Sequence, residues 1–221
     1  MKGREPGAAS RLIPLLLALL PGGLAAQDPF AALGRAKAAY DSLHTIRCDF
    51  IQIIDNPMLG APDTTRGILY QEPPARFAMN FTRPKGDRIV SDGTYLWIYT
   101  PSSVTGQVIR AAIPARGTTG PNLITQFVER PREQYRARFV RTDSSAAGPV
   151  DVVHLEPIAP DPPYTEATVS VGASGLVLRL DIVERSGQRR VLIFSKHRLN
   201  EPVAASTFRF TPGAGVRVVD Q

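Results

Sequence analysis

The sequence has 221 residues, with 26 Lys and Arg, 20 Asp and Glu, three His, one Cys and a formal net charge of +6. All-β chains of about 200–250 residues usually form one domain, so this length favours a single unit. One Cys excludes an intramolecular disulfide framework and multi-Cys metal sites, and three scattered His offer few further ligands. We therefore expect no metal and no cofactor. The basic residues are spread along the chain instead of forming a block, so we expect no nucleic-acid partner.

The first 26 residues have the three parts of a secretory signal peptide. A basic start is followed by the apolar run 12–20 and by the small-residue segment 23–26, which is typical of a cleavage site. The apolar run is too short to cross the ~30 Å hydrocarbon core of a membrane. The single Cys, Cys48, lies well beyond this segment, so we expect no lipid anchor. These features predict that residues 1–26 are removed on export and that residues 27–221 form one exported domain.

The exported part begins with one predicted helix and continues as strands. Asp28 followed by Pro29 is typical of a helix N-terminus, and apolar residues recur at helical spacing from Phe30 to about Leu43. Short alternating segments bounded by Gly, Pro or Asp then predict hairpin-linked strands. These strands are 46–54, 65–72, 76–82, 88–91, 94–100 and 107–111.

The pair Asp92-Gly93 is the sharpest local signal in this region. It predicts a hairpin with a type I′ turn, which requires positive φ at both central residues. Apolar spacing predicts a second short helix over 121–128. Further strands are predicted at 134–142, 150–156, 165–171, 176–184, 189–197 and 207–211. About a dozen strands and two or three helices indicate a mainly β, meandering barrel or sandwich.

Familiar catalytic motifs are absent from the sequence. It contains no Gly-x-Ser-x-Gly elbow, dinucleotide fingerprint, phosphate-binding loop or His-Glu-x-x-His. The segment 172–175, Gly-Ala-Ser-Gly, lies between two predicted strands, which favours a hairpin turn over a nucleophile. We therefore expect no enzyme and assign no catalytic residue.

Apolar and aromatic side chains share one face of consecutive predicted strands. Phe77, Met79 and Phe81 have the same parity on one strand, as do Ile68 and Tyr70 on another. A closed small barrel fills its interior with such side chains, whereas a barrel held open by helices can hold an apolar ligand. Composition alone favours the packed core, and the adaptable side chain of Met79 is a mild indication of the ligand site.

The segment 89–101, Ile-Val-Ser-Asp-Gly-Thr-Tyr-Leu-Trp-Ile-Tyr-Thr-Pro, resembles the central signature of the LolA family of outer-membrane lipoprotein carriers. Further matching segments follow in the family order: 50–52 (Phe-Ile-Gln), 67–70 (Gly-Ile-Leu-Tyr), 74–77 (Pro-Ala-Arg-Phe) followed by Pro84, and 208–216. The resemblance covers almost all of the exported chain. It implies a half-open antiparallel β-barrel with two or three helices forming a lid over an apolar cavity.

The same resemblance implies a monomeric carrier in the periplasm. Its cargo would be acylated lipoproteins, released from the inner membrane by an ATP-driven Lol ABC transporter and delivered to the outer-membrane receptor LolB or an equivalent. No chemistry is done on the cargo. The acyl chains are expected to contact Leu33, Phe50, Ile68, Phe77, Met79, Phe81, Ile124 and Phe127.

One position departs from the family pattern. Pro73 stands where relatives often have an Arg that holds the lid closed, and Arg76 is the remaining candidate for a lid latch. Two alternative functions stay open: a periplasmic carrier of another lipid, such as a glycolipid or fatty acid, and a lipoprotein-sensing interaction domain.

Overall fold

The computed structural model describes residues 27–58, 60–113 and 124–221. The expected signal peptide and the start of the predicted helix 121–128 lie outside these ranges. In chain order the elements are α1 (Pro29–Asp41), β1 (Ile46–Asp55), β2 (Asp63–Glu72), β3 (Arg76–Arg83), β4 (Lys85–Asp92), β5 (Tyr95–Tyr99), β6 (Gln107–Ala112), α2 (Thr125–Val128), α3 (Pro131–Gln134), β7 (Tyr135–Ser145), β8 (Gly148–Pro157), β9 (Tyr164–Gly172), β10 (Val177–Glu184), β11 (Arg189–Leu199), a 3₁₀ turn (Ala205–Phe208) and β12 (Arg217–Asp220).

The strands of the described chain form one sheet in the order β12-β6-β5-β4-β3-β2-β1-β11-β10-β9-β8-β7. Neighbouring strands are antiparallel except β12 and β6, which are parallel. Strands β12 and β7 remain at opposite edges, so the sheet curls without closing. The expected fold, a mainly β half-open barrel with helices, is confirmed.

Helix α1 begins as the sequence predicts. The Asp28 carboxylate accepts a hydrogen bond from the Phe30 amide at 2.9 Å, and Pro29 occupies the first turn, where its missing N–H costs nothing. The helix packs against β7, β8, β9 and α2. Its buried face consists of Ala32, Leu33, Ala36 and Tyr40.

The inner face of the sheet carries the larger apolar core. Phe50 on β1 lies opposite Gly67 on β2. A Cβ atom at Gly67 would lie 2.3 Å from the Asn80 carbonyl oxygen and 2.7 Å from Phe50 Cε1, so only glycine leaves room for the Phe50 ring there. That ring meets Phe81 edge-to-face with centroids 5.2 Å apart.

The outer face of the β3–β6 half carries a second, smaller core. Ala78, Val90, Trp97 and Val108 point outward from the sheet and are buried by Phe208 of the 3₁₀ turn. Half-buried residues pack around them: Tyr70, Tyr95, Tyr99, Val203, Phe210 and Val216. The chain after β11 therefore serves as a cover for the outside of the sheet.

Two local predictions are wrong, and two short elements were not predicted. The 92–93 hairpin forms, but only Gly93 has positive φ (97°), and Asp92 instead closes the turn through its carboxylate, which accepts from the amides of Thr94 and Tyr95 at 2.8 Å. The predicted strand 207–211 instead consists of the end of the 3₁₀ turn and an irregular segment. Its aromatic residues alternate as in a strand because they cover the outer core. Helix α3 and strand β12 were not predicted, since four-residue elements carry too little periodicity.

Candidate lipid-binding site

Seven of the eight predicted acyl-contact residues lie together in the inner-face core. Leu33 comes from α1, Phe50 from β1, and Ile124 and Phe127 from the chain at α2. The contribution of β3 is Phe77, Met79 and Phe81. Each of the seven is at most 9% exposed, so in this structure side chains of the helices and of the sheet fill the interior against one another.

The expected inward position of Ile68 is wrong. In the register of β1 with β2, the inward residue Cys48 lies opposite Leu69, and Ile68 lies opposite the outward Asp49. Leu69 is 2% exposed and belongs to the inner core, whereas Ile68 is half-buried on the other face. The sequence here is Gly-Ile-Leu-Tyr. Because the inward position 67 is a glycine and has no apolar side chain, the pattern did not show which residues of this strand face inward.

Arg76 is not placed to hold the lid. It precedes the inward residue Phe77 on β3 and therefore points outward. Its guanidinium forms an ion pair with Glu72 and lies over the Phe208 ring, 5.7 Å from the centroid. The latch assignment is thus corrected, because Arg76 takes part in the outer core.

Several inner-face residues come from strands that the sequence analysis did not single out. They are Val153, Leu155, Val169, Val171, Leu180, Leu192 and Phe194, on β8 to β11. Alternation within 150–156 and 176–184 indicates which residues share a face. It does not predict that these strands belong to the same sheet as β1. Only the pairing of β1 with β11 brings both halves of the sheet under the same helices.

We use the word lid for α1, α2 and α3 together. One side of the lid is tied to the β8–β10 region. Arg35 of α1 forms an ion pair with Asp151 of β8 at 2.7 Å, and the Tyr40 hydroxyl accepts the Val177 amide at 3.3 Å. Burial raises the pKa of Tyr40, so the phenol stays neutral. Gly175 in the β9–β10 turn approaches α1 so closely that an added Cβ would lie 2.6 Å from the Arg35 carbonyl oxygen.

The opposite side of the lid faces a cleft. This cleft has a volume of about 330 Å³ and separates α1 and α2 from the Pro73–Pro74 turn between β2 and β3. Lys37 and Asp41 of α1 lie at its edge and pair with each other at 2.6 Å. The lid is therefore anchored along the β8–β10 side and borders open space along the β2–β3 side.

Cys48 lies under the lid on the inner face and is fully buried. Burial, assisted by the neighbouring Asp49 charge, raises the pKa of its thiol to about 12. Almost no thiolate is present at neutral pH, which makes Cys48 an apolar packing residue in this closed arrangement.

The geometry defines a class of protein: an open antiparallel sheet whose apolar concave face is covered by short helices and by no further domain within the described residues. A family model of the outer membrane lipoprotein carrier protein LolA matches residues 41–211. The chain belongs to the LolA family.

Two curated relatives match nearly their whole length. The chain is 27% identical over 210 residues to the outer-membrane lipoprotein carrier protein of Chromobacterium violaceum, covering 94% of this chain and 97% of that one. It is likewise 27% identical over 216 residues to the protein of the same name from Klebsiella pneumoniae, covering 95% and 98%.

Two solved structures share the fold. An uncharacterized conserved protein of Thermus thermophilus superposes with a TM-score of 0.56 at 13% identity, covering 86% of this chain and 98% of that chain. The MucA/MucB complex of Pseudomonas aeruginosa contains a chain with a TM-score of 0.51 at 15% identity, covering 87% and 63%. At these identities the likeness concerns the fold alone. Among the described residues, no helix has the length and apolar character needed to cross a bilayer.

Proposed function

We propose that this protein is a periplasmic carrier that binds the acyl chains of lipoproteins between the inner face of its sheet and its lid. The expected partners are an ATP-driven Lol transporter, which supplies the cargo, and LolB or an equivalent acceptor at the outer membrane. Family membership and the names of the curated relatives support the carrier role. No covalent step is involved, because the cargo only exchanges one apolar environment for another.

The observation that carries the proposal is that the lid and the sheet both contribute side chains to the inner core. Leu33 and Phe127 of the lid and Phe50 and Phe81 of the sheet belong to one apolar cluster. Displacing the lid therefore exposes two facing apolar surfaces at once. A buried CH₂ group is worth ~0.8 kcal/mol, so sheltering one C16 chain contributes on the order of 12 kcal/mol, which can offset the separation of these surfaces.

The anchoring of the lid suggests how the interior opens. Contacts to Asp151 and Val177 hold α1 at the β8–β10 side, while the cleft beside Pro73 borders the other side. The lid then lifts at the β2–β3 side while the anchored edge stays in place, and departure of the acyl chains lets it close on the inner face again.

The test uses two adjacent residues of β2 that face opposite sides. Leu69→Ser places a hydroxyl on the proposed binding face, whereas Ile68→Ser makes a similar change on the outer face. We expect Leu69→Ser to reduce lipoprotein release from spheroplasts at least several-fold and Ile68→Ser to leave it near normal. Release is measured by immunoblotting, and native mass spectrometry identifies the complex with cargo.

Cooperative thermal unfolding of both variants is the control for folding. Equal release by both variants would contradict the assignment of the inner face as the binding surface. If the purified protein carries glycolipid or fatty acid and releases no lipoprotein, it is a carrier of that other lipid. If it captures lipoproteins but never passes them on, the sensing alternative replaces the carrier proposal.

A further inference from the structure

A second cleft lies at the end of the lid next to α3. Its volume is about 570 Å³, and its walls are α3 and the proline-rich β8–β9 loop, residues 157–163. Tyr135 and Tyr164 form its inner wall. Behind them lies Phe127, whose ring centroid is 6.1 Å from that of Tyr135 and 5.5 Å from that of Tyr164. The two tyrosines therefore separate the open cleft from the apolar interior.

The two tyrosine hydroxyls are joined to the lid by hydrogen bonds. Their oxygen atoms are 2.6 Å apart, and the Tyr135 hydroxyl also donates to the Gln126 carbonyl oxygen on α2 at 3.1 Å. Each phenol has one proton. When Tyr135 donates its proton to Gln126, Tyr164 must donate to Tyr135. The pair thus forms a short relay from β9 through β7 to a backbone carbonyl of the lid.

This relay depends on the position of α2. Tyr135 is the first residue of β7 and Tyr164 the first of β9, whereas Gln126 belongs to α2 of the lid. Burial raises the pKa of both tyrosines, so both remain hydrogen-bond donors at neutral pH. A buried donor that loses its acceptor carries the full cost of desolvation, so an opened lid requires another acceptor at this point.

We propose that Tyr135 and Tyr164 bind the ester carbonyl oxygens of glycerol-linked acyl chains. In the loaded protein an ester carbonyl takes the place of the Gln126 carbonyl as acceptor for Tyr135. The alkyl tail then lies past Phe127 in the interior, and the glycerol with its attached group lies in the cleft. This inference rests on the proposed function and assigns the cleft to the junction between acyl chains and the rest of the cargo.

Ester-linked acyl chains occur both on the acylated N-terminal cysteine of lipoproteins and on glycerolipids. The shared chemistry is the carbonyl group beside a long alkyl chain. A simple apolar pocket would favour the ether, because the buried ester carbonyl would lose its hydrogen bonds to water, whereas a hydroxyl donor aimed at the carbonyl compensates for that loss.

The experiment compares ligands that differ only in their carbonyl groups. Displacement of a fluorescent acyl probe from the exported chain is measured with dipalmitoylglycerol and with its dihexadecyl ether analogue. A tripalmitoylated cysteinyl peptide is the third ligand. We expect Tyr135→Phe and Tyr164→Phe each to weaken binding of the ester ligands about 3- to 10-fold and to leave ether binding unchanged. Tyr99→Phe, on the outer face, is the matched control.

The ratio of ester to ether affinity within one variant corrects for any loss of stability caused by removing a hydroxyl. An unchanged ratio in both variants would overturn the inference and leave the carrier role intact. Failure of the unaltered protein to bind any of the three ligands would overturn the carrier role as well. If the tyrosine dependence is found, the tighter of the two ester ligands identifies whether lipoproteins or glycerolipids supply the carbonyl.

Discussion

The two apolar cores of this protein lie on opposite faces of the same sheet and are held in different ways. The outer core is secured by directional bonds: Trp97 Nε1 donates to the Asp92 carboxylate at 3.0 Å, and Arg110 lies over Tyr95 while pairing with Asp220. The inner core is covered by short helices, of which α1 is tied to Asp151 and Val177 and α2 to Tyr135. We expect the outer cover to stay in place and the inner cover to separate when cargo binds.

Under the proposed function, this difference would allow one sheet to be both stable and open to cargo. The chain from 200 to 220 covers the outer face of the β3–β6 half through a 3₁₀ turn and a parallel strand on β6. Among the described residues, no lid residue belongs to this outer core. We therefore expect that the inner face can be exposed while the outer core keeps the sheet folded.

The largest expected effect comes from truncating the same residue type on the two faces. Phe208→Ala should lower the free energy of unfolding by about 3–5 kcal/mol, because Phe208 is 1% exposed and its neighbours are fixed in the sheet. Phe81→Ala should cost less, about 2 kcal/mol, since the lid can settle into the space left behind. Denaturant unfolding measures both values.

When cargo transfer is measured, the variant with the smaller loss of stability should show the larger loss of activity. Phe81→Ala should impair lipoprotein release, and Phe208→Ala should leave it intact at temperatures where the protein is folded. Equal losses of stability together with equal losses of release would mean that both faces are ordinary structural cores.

A second comparison uses two glycines with the same backbone conformation. Gly175 and Gly187 both have φ of 83°, but an added Cβ at Gly187 meets nothing within 4 Å, whereas at Gly175 it would meet α1. Gly187→Ala should cost about 1–2 kcal/mol from the positive φ alone. Gly175→Ala should cost roughly 1–3 kcal/mol more, because α1 must move away from the sheet.

Alkylation of Cys48 detects this movement. The buried thiol should react very slowly in the unaltered protein and in Gly187→Ala, and at least several-fold faster in Gly175→Ala. Equal labelling of the two variants would show that the β9–β10 turn does not position the lid.

The fold was largely predictable because its signals are local and repeated. The start of α1 at Asp28 and Pro29, the hairpin at 92–93 and the alternating strands are each read from a few neighbouring residues. The inward parity of Phe77, Met79 and Phe81 follows from the same alternation, and the structure places all three in the inner core.

Most of the features that could not be predicted from the sequence depend on contacts between residues far apart in the chain. The outward position of Ile68 depends on the register of β2 against β1, which a glycine at an inward position obscures. The tyrosine pair depends on residues 29 positions apart meeting across β7 and β9, and neither carries a motif. The packing of the C-terminal segment over Trp97 likewise joins residues that are far apart in the chain.

The smallest expected effect tests how tightly the lid is held. Burial alone would raise the pKa of Asp151, but hydrogen bonds from Thr142 and Arg35 outweigh it and lower the pKa below the usual 3.8. The carboxylate therefore stabilises the folded protein above that pH, and the contribution is lost as the pH falls through the lowered pKa. Because Arg35 is 41% exposed, solvent screens the pair, and Asp151→Asn should cost only about 0.2–1 kcal/mol at pH 7.

The difference between Asp151→Asn and the unaltered protein should shrink in acid and in high salt, measured by denaturant unfolding across that range. Asp143→Asn removes the same charge from the exposed pair with Arg141 and is the control away from the lid. A loss above about 2 kcal/mol confined to Asp151→Asn would mean that this ion pair locks α1 onto β8. The weak tie expected here instead leaves the lid held mainly by apolar contact, and under the proposed function acyl chains would replace that contact with one of the same kind.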